Sequence, residues 1–159
     1  MSKRPISKAD VTFREMSQKD VDSVLKIERS IYAFPWTSGN FKDCLVSNYR
    51  CQIVMWDDKL IAYGVQMSIL DEMHLLNLTV ASEFQKTGIG RLLLDFFIED
   101  ALTHQAIKMI LEVRRTNLGA IFLYESSGFN QIGLRKNYYP AQHGREDAIV
   151  CLLYTSDAA

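Results

Sequence analysis

Apolar and polar residues alternate from Val11 to Met16, which predicts a first strand. Ser17, with Asp20 three residues on, opens a helix in the manner of a capping box, and Val21, Val24, Leu25 and Ile27 lay an apolar stripe along it to about Ile31. Phe34-Pro35-Trp36 breaks that helix, and Thr37 or Ser38 caps a shorter one carrying Phe41, Leu45 and Val46. Strands follow from Cys51 to Trp56 and from Leu60 to Gln66, joined through Asp57-Asp58 as a hairpin. After Asp71-Glu72 a third strand of this meander runs from Met73 to Val80. Its Leu75 to Val80 stretch reads as buried and central.

The second half alternates helix and strand. Gly88 to His104 is amphipathic, with Leu92, Leu93, Phe96, Phe97 and Leu102 predicted inward. Ile107 to Val113 is a buried strand. A helix capped by Thr116 or Asn117 runs from Leu118 to about Ser126, and Gly128 ends it. Phe129 to Leu134 and Asp147 to Leu153 complete the strands, separated by a Tyr-, Pro- and Gly-rich loop from Arg135 to Glu146. The pattern predicts a single α/β domain with a mixed central sheet flanked by helices. It spans residues 11–153, after an N-terminal extension of residues 1–10 and before a non-functional tail of residues 154–159.

Composition narrows the function. The formal net charge is −1, so nothing favours nucleic acid or an anionic membrane, both of which reward a strongly basic surface. No apolar run reaches the roughly 20 residues of a membrane span. Cys44, Cys51 and Cys151 form no paired motif, which fits reduced thiols in the cytoplasm and no catalytic cysteine. His74, His104 and His143 have no metal-ligand spacing, so no metal is expected.

One motif carries chemistry. Gln85-Lys86-Thr87-Gly88-Ile89-Gly90-Arg91 stands between a buried strand and an amphipathic helix. Glycines one residue apart let the backbone turn tightly and approach a ligand, and the leading N–H groups of the helix then favour an anion such as a pyrophosphate. A Gly-x-Gly at such a junction is also often only a turn. A dinucleotide fold would want a glycine where Leu93 stands, and a P-loop would want Gly-Lys-Ser/Thr.

The motif Gln-x-x-Gly-x-Gly after a fourth strand resembles the acetyl-CoA signature of the GNAT superfamily of N-acetyltransferases. Glu112-Val113-Arg114, Asn117, Ala120 to Glu125, Gly128-Phe129, Arg135 to Pro140 and Gly144 to Ala148 follow in order, and Ala33-Phe34-Pro35-Trp36 precedes them. Together they resemble the bacterial ribosomal-protein-alanine N-acetyltransferases of the RimI type, over roughly residues 11–152. The resemblance implies the GNAT fold, acetyl-CoA as cosubstrate, and transfer by direct attack in a ternary complex to the α-amine of the eighteenth protein of the small ribosomal subunit. A monomer is expected. Another amine (a lysine side chain, another protein N-terminus, a small metabolite) and a non-catalytic acetyl-CoA-binding module are the alternatives.

The resemblance also implies roles. Backbone N–H groups of Lys86, Thr87, Gly88, Ile89, Gly90 and Arg91 would hold the pyrophosphate, Leu78, Thr79 and Val80 would pair with the pantetheine arm, and Asn117 would touch CoA. Glu112 would be general base and Tyr124 general acid. Tyr32, Phe34, Pro35, Trp36, Tyr138 and Tyr139 would bracket the acceptor peptide. From the pattern alone, Glu112 is equally a structural strand residue, Tyr124 a core aromatic, Asn117 a helix cap, and Phe34 and Trp36 loop anchors. Glu28, Glu146 and Asp147 either offer charge to a basic peptide or form a solvated face.

Overall fold

The computed structural model describes residues 3–155. Residues 1–2 of the extension and 156–159 of the tail lie outside them. The elements are β1 (Thr12–Glu15), α1 (Val21–Ile31), α2 (Ser38–Val46), β2 (Arg50–Trp56), β3 (Lys59–Ile69), β4 (Glu72–Val80), α3 (Ile89–Thr103), β5 (Lys108–Arg114), α4 (Leu118–Ser126), β6 (Asn130–Ala141) and β7 (Gly144–Tyr154). The strands form one sheet in the order β1-β2-β3-β4-β5-β7-β6. Pairing is antiparallel for β1–β2, β2–β3, β5–β7 and β6–β7, and parallel for β4–β5. This is the mixed, mostly antiparallel α/β architecture expected.

The chain forms two compact units. The first takes the chain up to Met67 together with Asn77–Phe96, and the second takes Ser68–Leu76 together with the chain from Phe97 onward. In the first, α1 buries Val21, Val24 and Leu25, α2 buries Phe41, and β2 and β3 bury Ile53, Val54, Ile61, Tyr63 and Val65. In the second, β5 buries Met109, Leu111 and Val113 and β7 buries Ala148, Ile149, Cys151 and Leu152, with Leu111 opposite Cys151 and Val113 opposite Ile149.

Several elements differ from the pattern's prediction. The Ser17–Asp20 box starts a 3-10 turn, Gln18–Asp20, ahead of α1. Asp20 also takes both arms of Arg14, at 2.9 and 3.0 Å, and that guanidinium holds its carboxyl below the usual range. The inward face of α3 is Ile89, Leu93, Leu94, Phe97 and Ala101, whereas Leu92 and Phe96 are only half-buried and Leu102 is exposed. Positions 89, 93, 97 and 101 are each four apart and therefore share one face, from which Leu102 is turned away. The predicted loop from Arg135 to Glu146 is mostly strand: β6 continues to Ala141 and β7 begins at Gly144. Pro140 is tolerated because β6 is the edge of the sheet, where a missing N–H costs no ladder bond. The chain also stays ordered past Leu153. Tyr154 closes β7 opposite Lys108, and Thr155 donates its N–H to Ile107 O at 2.9 Å.

The face assignment of α3 has a direct consequence. Leu93→Ala should lower the free energy of unfolding by about 2–5 kcal/mol, and Leu102→Ala by no more than about 0.5 kcal/mol. Urea denaturation midpoints of the two variants check this.

Candidate active site

The glycine turn belongs to the first unit. After β4 a short 3-10 turn, Ser82–Phe84, leads to Gln85, whose Nε2 donates to Val80 O at 3.0 Å. Thr87 donates its hydroxyl to Phe84 O. Lys86 and Gly88 have φ of +63° and +95°. At Gly88 that conformation is the reason for a glycine, because a side chain there would be strained. Leu92 N–H then reaches Gly88 O at 3.1 Å, closing the first turn of α3. The leading amides of a helix have no acceptor within it and carry the positive end of its dipole. The turn therefore offers an anion a backbone cradle, with exposed Lys86 and Arg91 beside it in sequence.

The N-terminal extension contributes something the pattern did not suggest. Lys3 Nζ donates to Ser82 O and Glu83 O, both at 2.9 Å, and Ile6 N–H donates to Thr87 O at 2.8 Å. Residues 3–6 therefore brace the glycine turn. Their polar, aperiodic sequence held no signal of this, since main-chain acceptors far along the chain are invisible in it.

The first unit also brings Tyr32 and Thr79 together, hydroxyl to hydroxyl at 2.8 Å. Trp36 N–H donates to Glu28 Oε2 at 2.9 Å, and its ring meets that of Phe41 at a tilt, with centres 5.1 Å apart. Phe34 between them is 44% exposed. Leu78, Thr79 and Val80 lie beyond the β4–β5 pairing, whose register runs only from Glu72 opposite Lys108 to Leu75 opposite Leu111.

In the second unit Glu112 sits on β5 between Leu111 and Val113, which are buried, while Glu112 points to the other face with Ile110 and Arg114. Its side chain keeps 18% of its accessibility, and Arg135 Nε lies 3.2 Å from its Oε1. Tyr124 on α4 is 7% exposed and meets Phe129 edge-on at 5.8 Å. The side chain of Asn117 accepts from Ala120 N at 3.3 Å, so it is a helix cap whatever else it contacts.

The Arg135–Pro140 block forms an irregular stretch of β6. The register against β7 shifts between Arg135, opposite Ala148, and Tyr139, opposite Glu146. Asn137 at the bulge has φ +53° and donates its N–H to Asp147 Oδ1 at 2.9 Å. Tyr138 and Tyr139 meet edge-on at 4.9 Å. Arg135 lies over Tyr138, and Arg114 over Tyr139 with its guanidinium carbon 4.5 Å from the ring centre. Burial, with the negative charge of Glu112 nearby, pushes the Tyr139 hydroxyl well above its ordinary pKa. It stays a neutral donor.

Each of the three carboxylates read as either peptide-facing or part of a solvated face has partners within the protein. Glu28 is 2% exposed. Glu146 accepts from the Thr116 hydroxyl and N–H and from Arg114 Nη1 at 3.0 Å. The Thr116 and Arg114 contacts hold its carboxyl below the usual range. Asp147 holds Asn137 and lies 3.7 Å from Arg115. The cysteines are all buried, and burial pushes the Cys51 thiol to about 12 and the Cys151 thiol to about 11. At neutral pH they are protonated and so are poor nucleophiles.

A family model described as the Acetyltransferase (GNAT) family matches residues 21–129. The chain belongs to that family. The ribosomal protein bS18-alanine N-acetyltransferase of Salmonella typhimurium is 38% identical to it over 142 residues, 89% of this chain and 96% of that protein. The crystal structure of the ribosomal-protein-S18-alanine N-acetyltransferase from Escherichia coli matches with a TM-score of 0.87 at 36% identity, covering 94% of this chain and 96% of that one. A putative acetyltransferase of Salmonella typhimurium, solved with its cofactor acetyl-CoA, shares the fold with a TM-score of 0.78 at 17% identity, over 94% of this chain and 96% of its own.

If Lys3 and Ile6 brace the glycine turn, a chain lacking residues 1–6 should exchange the amides of residues 82–91 faster, with β5 and β7 unchanged. Hydrogen–deuterium exchange read by mass spectrometry checks this.

Proposed function

We propose that this acetyltransferase moves the acetyl group of acetyl-CoA to the N-terminal α-amine of an alanine, with ribosomal protein bS18 as substrate, in the cytoplasm where ribosomes are made. The observation that carries the reading is the likeness, over nearly the whole chain, to enzymes named for that reaction. Acetyl-CoA supplies a thioester whose carbonyl an amine can attack. Lys86–Arg91 bind the pyrophosphate through the backbone cradle of the glycine turn, which the left-handed Gly88 and the start of α3 support. Leu78–Val80, beyond the paired part of β4, bind the pantetheine arm through main-chain groups. Asn117 contacts CoA from the cap of α4.

Glu112 removes the proton of the ammonium through a water. Its partial accessibility admits the one water through which a base can reach the ammonium. The Val80 N–H donates to the carbonyl oxygen as it gains charge. The Tyr124 hydroxyl protonates the departing thiolate. Phe34, Pro35 and Trp36 with Tyr32, and Tyr138 with Tyr139, line the acceptor peptide. With the amine aligned, direct attack needs no enzyme nucleophile, which agrees with three buried, protonated thiols.

An α-amine suits this machinery. Its ordinary pKa is about 7.7–8.0 against about 10.4 for lysine, so at neutral pH about a tenth is already deprotonated and a carboxylate base suffices.

The decisive experiment follows CoA release with a short Ala-first peptide and with the same peptide N-blocked but carrying a free internal lysine. Release with the open N-terminus alone supports the reading, and release with the blocked peptide moves the activity to lysine. Glu112→Gln should lower kcat by about 10²–10⁴-fold with acetyl-CoA affinity kept. Unchanged turnover removes Glu112 from the mechanism. Tyr124→Phe should slow transfer while its melting temperature stays close to that of the parent. Loss of the fold instead would mean that the buried hydroxyl serves packing.

A further inference from the structure

A buried, fully partnered carboxylate is left unused by the proposed chemistry. Glu28 occupies the inward position of α1 that follows Val21, Val24 and Leu25, and is 2% exposed. Its Oε1 accepts from the Tyr63 hydroxyl at 2.6 Å and from Asn77 Nδ2 at 3.2 Å, and its Oε2 accepts from Trp36 N–H at 2.9 Å. A carboxylate taken out of water persists when donors replace the water it lost, and here they come from β3, β4 and the loop after α1.

The chain of bonds has one direction. Thr79 spends its single hydroxyl proton on Asn77 Oδ1 at 2.7 Å. It can then only accept from Tyr32, so the Tyr32 O–H is the donor in that 2.8 Å pair. The order is Tyr32 to Thr79 to Asn77 to Glu28, with Tyr63 and Trp36 donating to Glu28 as well. Both ends of the Tyr32–Trp36 loop thus resolve onto one carboxylate, Trp36 directly and Tyr32 through two side chains of β4. Burial, reinforced by the charge of Glu28, holds the Tyr32 and Tyr63 hydroxyls above their ordinary pKa and so protonated as donors. Replacing one carboxylate oxygen by an amide nitrogen sets a donor against a donor. It reverses or breaks the chain without changing its shape.

We infer that Glu28 is a positioning residue for the acceptor: its carboxylate fixes the Tyr32–Trp36 loop against β4 and thereby sets how tightly the enzyme holds the first residue of its peptide. The inference rests on reading Tyr32–Trp36 as the acceptor loop.

The test is steady-state kinetics of Glu28→Gln, Tyr32→Phe and Phe34→Ala on Ala-first and Leu-first peptides, at temperatures where circular dichroism shows each variant folded. Glu28→Gln and Tyr32→Phe should each raise the peptide KM by about 3–10-fold, the worth of a broken buried hydrogen bond, with the acetyl-CoA KM unchanged. Both should also narrow the preference for Ala over Leu. A merely structural Glu28 would lower the melting temperature and leave the peptide KM and that preference alone, which overturns the inference. Tyr32→Phe carries the test if Glu28→Gln does not fold. Phe34→Ala removes an exposed loop side chain without touching the bonds. If it raises the peptide KM while the other two do not, the positioning role fails and the acceptor loop stands. If Phe34→Ala also leaves the peptide KM unchanged, the loop reading fails and the inference with it.

Discussion

A single buried carboxylate governs the first unit. Removing an ion from water costs several kcal/mol even after relaxation, so Glu28 requires its donors, and leaving one such group unpaired costs about 1–3 kcal/mol. Those donors lie on β3, on β4 and in the loop that follows α1. The requirement therefore fixes three separate stretches of chain around one point. Two of those donors, Trp36 and Tyr63, belong to an aromatic run with Phe41 whose ring centres are 5.1 and 5.8 Å apart. Apolar packing alone would hold the loop less uniquely, because it is non-directional.

The second unit meets a comparable need with cations and aromatic rings on a sheet edge. Arg114 joins Glu146, Pro140 O and the face of Tyr139, and Arg135 joins Glu112 and lies over Tyr138. Arginine suits these places because its planar head donates at its rim and stacks on its face at once. The bulge between Arg135 and Tyr139 gives an otherwise regular hairpin the irregularity that sets Tyr138 out to solvent while Tyr139 is half-buried. Glu146 and Asp147 serve this bracing.

Nucleophilic catalysis is disfavoured by the same burial that stabilises the fold. All three thiols sit in apolar surroundings that raise their pKa values. Glu112, like Glu146 and Asp147 near it, is neither sealed in nor fully hydrated. A strand position that alternates away from Leu111 and Val113, at 18% accessibility, is what gives it that intermediate environment.

The sequence by itself determined the order and type of nearly every element, because periods of 2 and 3.6 residues and the caps at Thr37 and Asn117 are local properties of the chain. It also marked the glycine turn, since the left-handed φ of Gly88 has a local cause. The inward place of Glu28 was not legible: the apolar stripe read through Val21, Val24, Leu25 and Ile27, and a charge at position 28 argued for the surface, whereas Glu28 rather than Ile27 is buried. Its donors were not legible: Tyr63, Asn77 and Trp36 lie 8 to 49 residues away along the chain. The same holds for the brace from Lys3 and Ile6 to the glycine turn, and for the edge position that lets β6, with Pro140 in it, be a strand. Only the tertiary structure decided these, because hydrogen bonding between distant segments and the identity of a sheet's edge strand depend on which parts of the chain meet, and no local pattern encodes that.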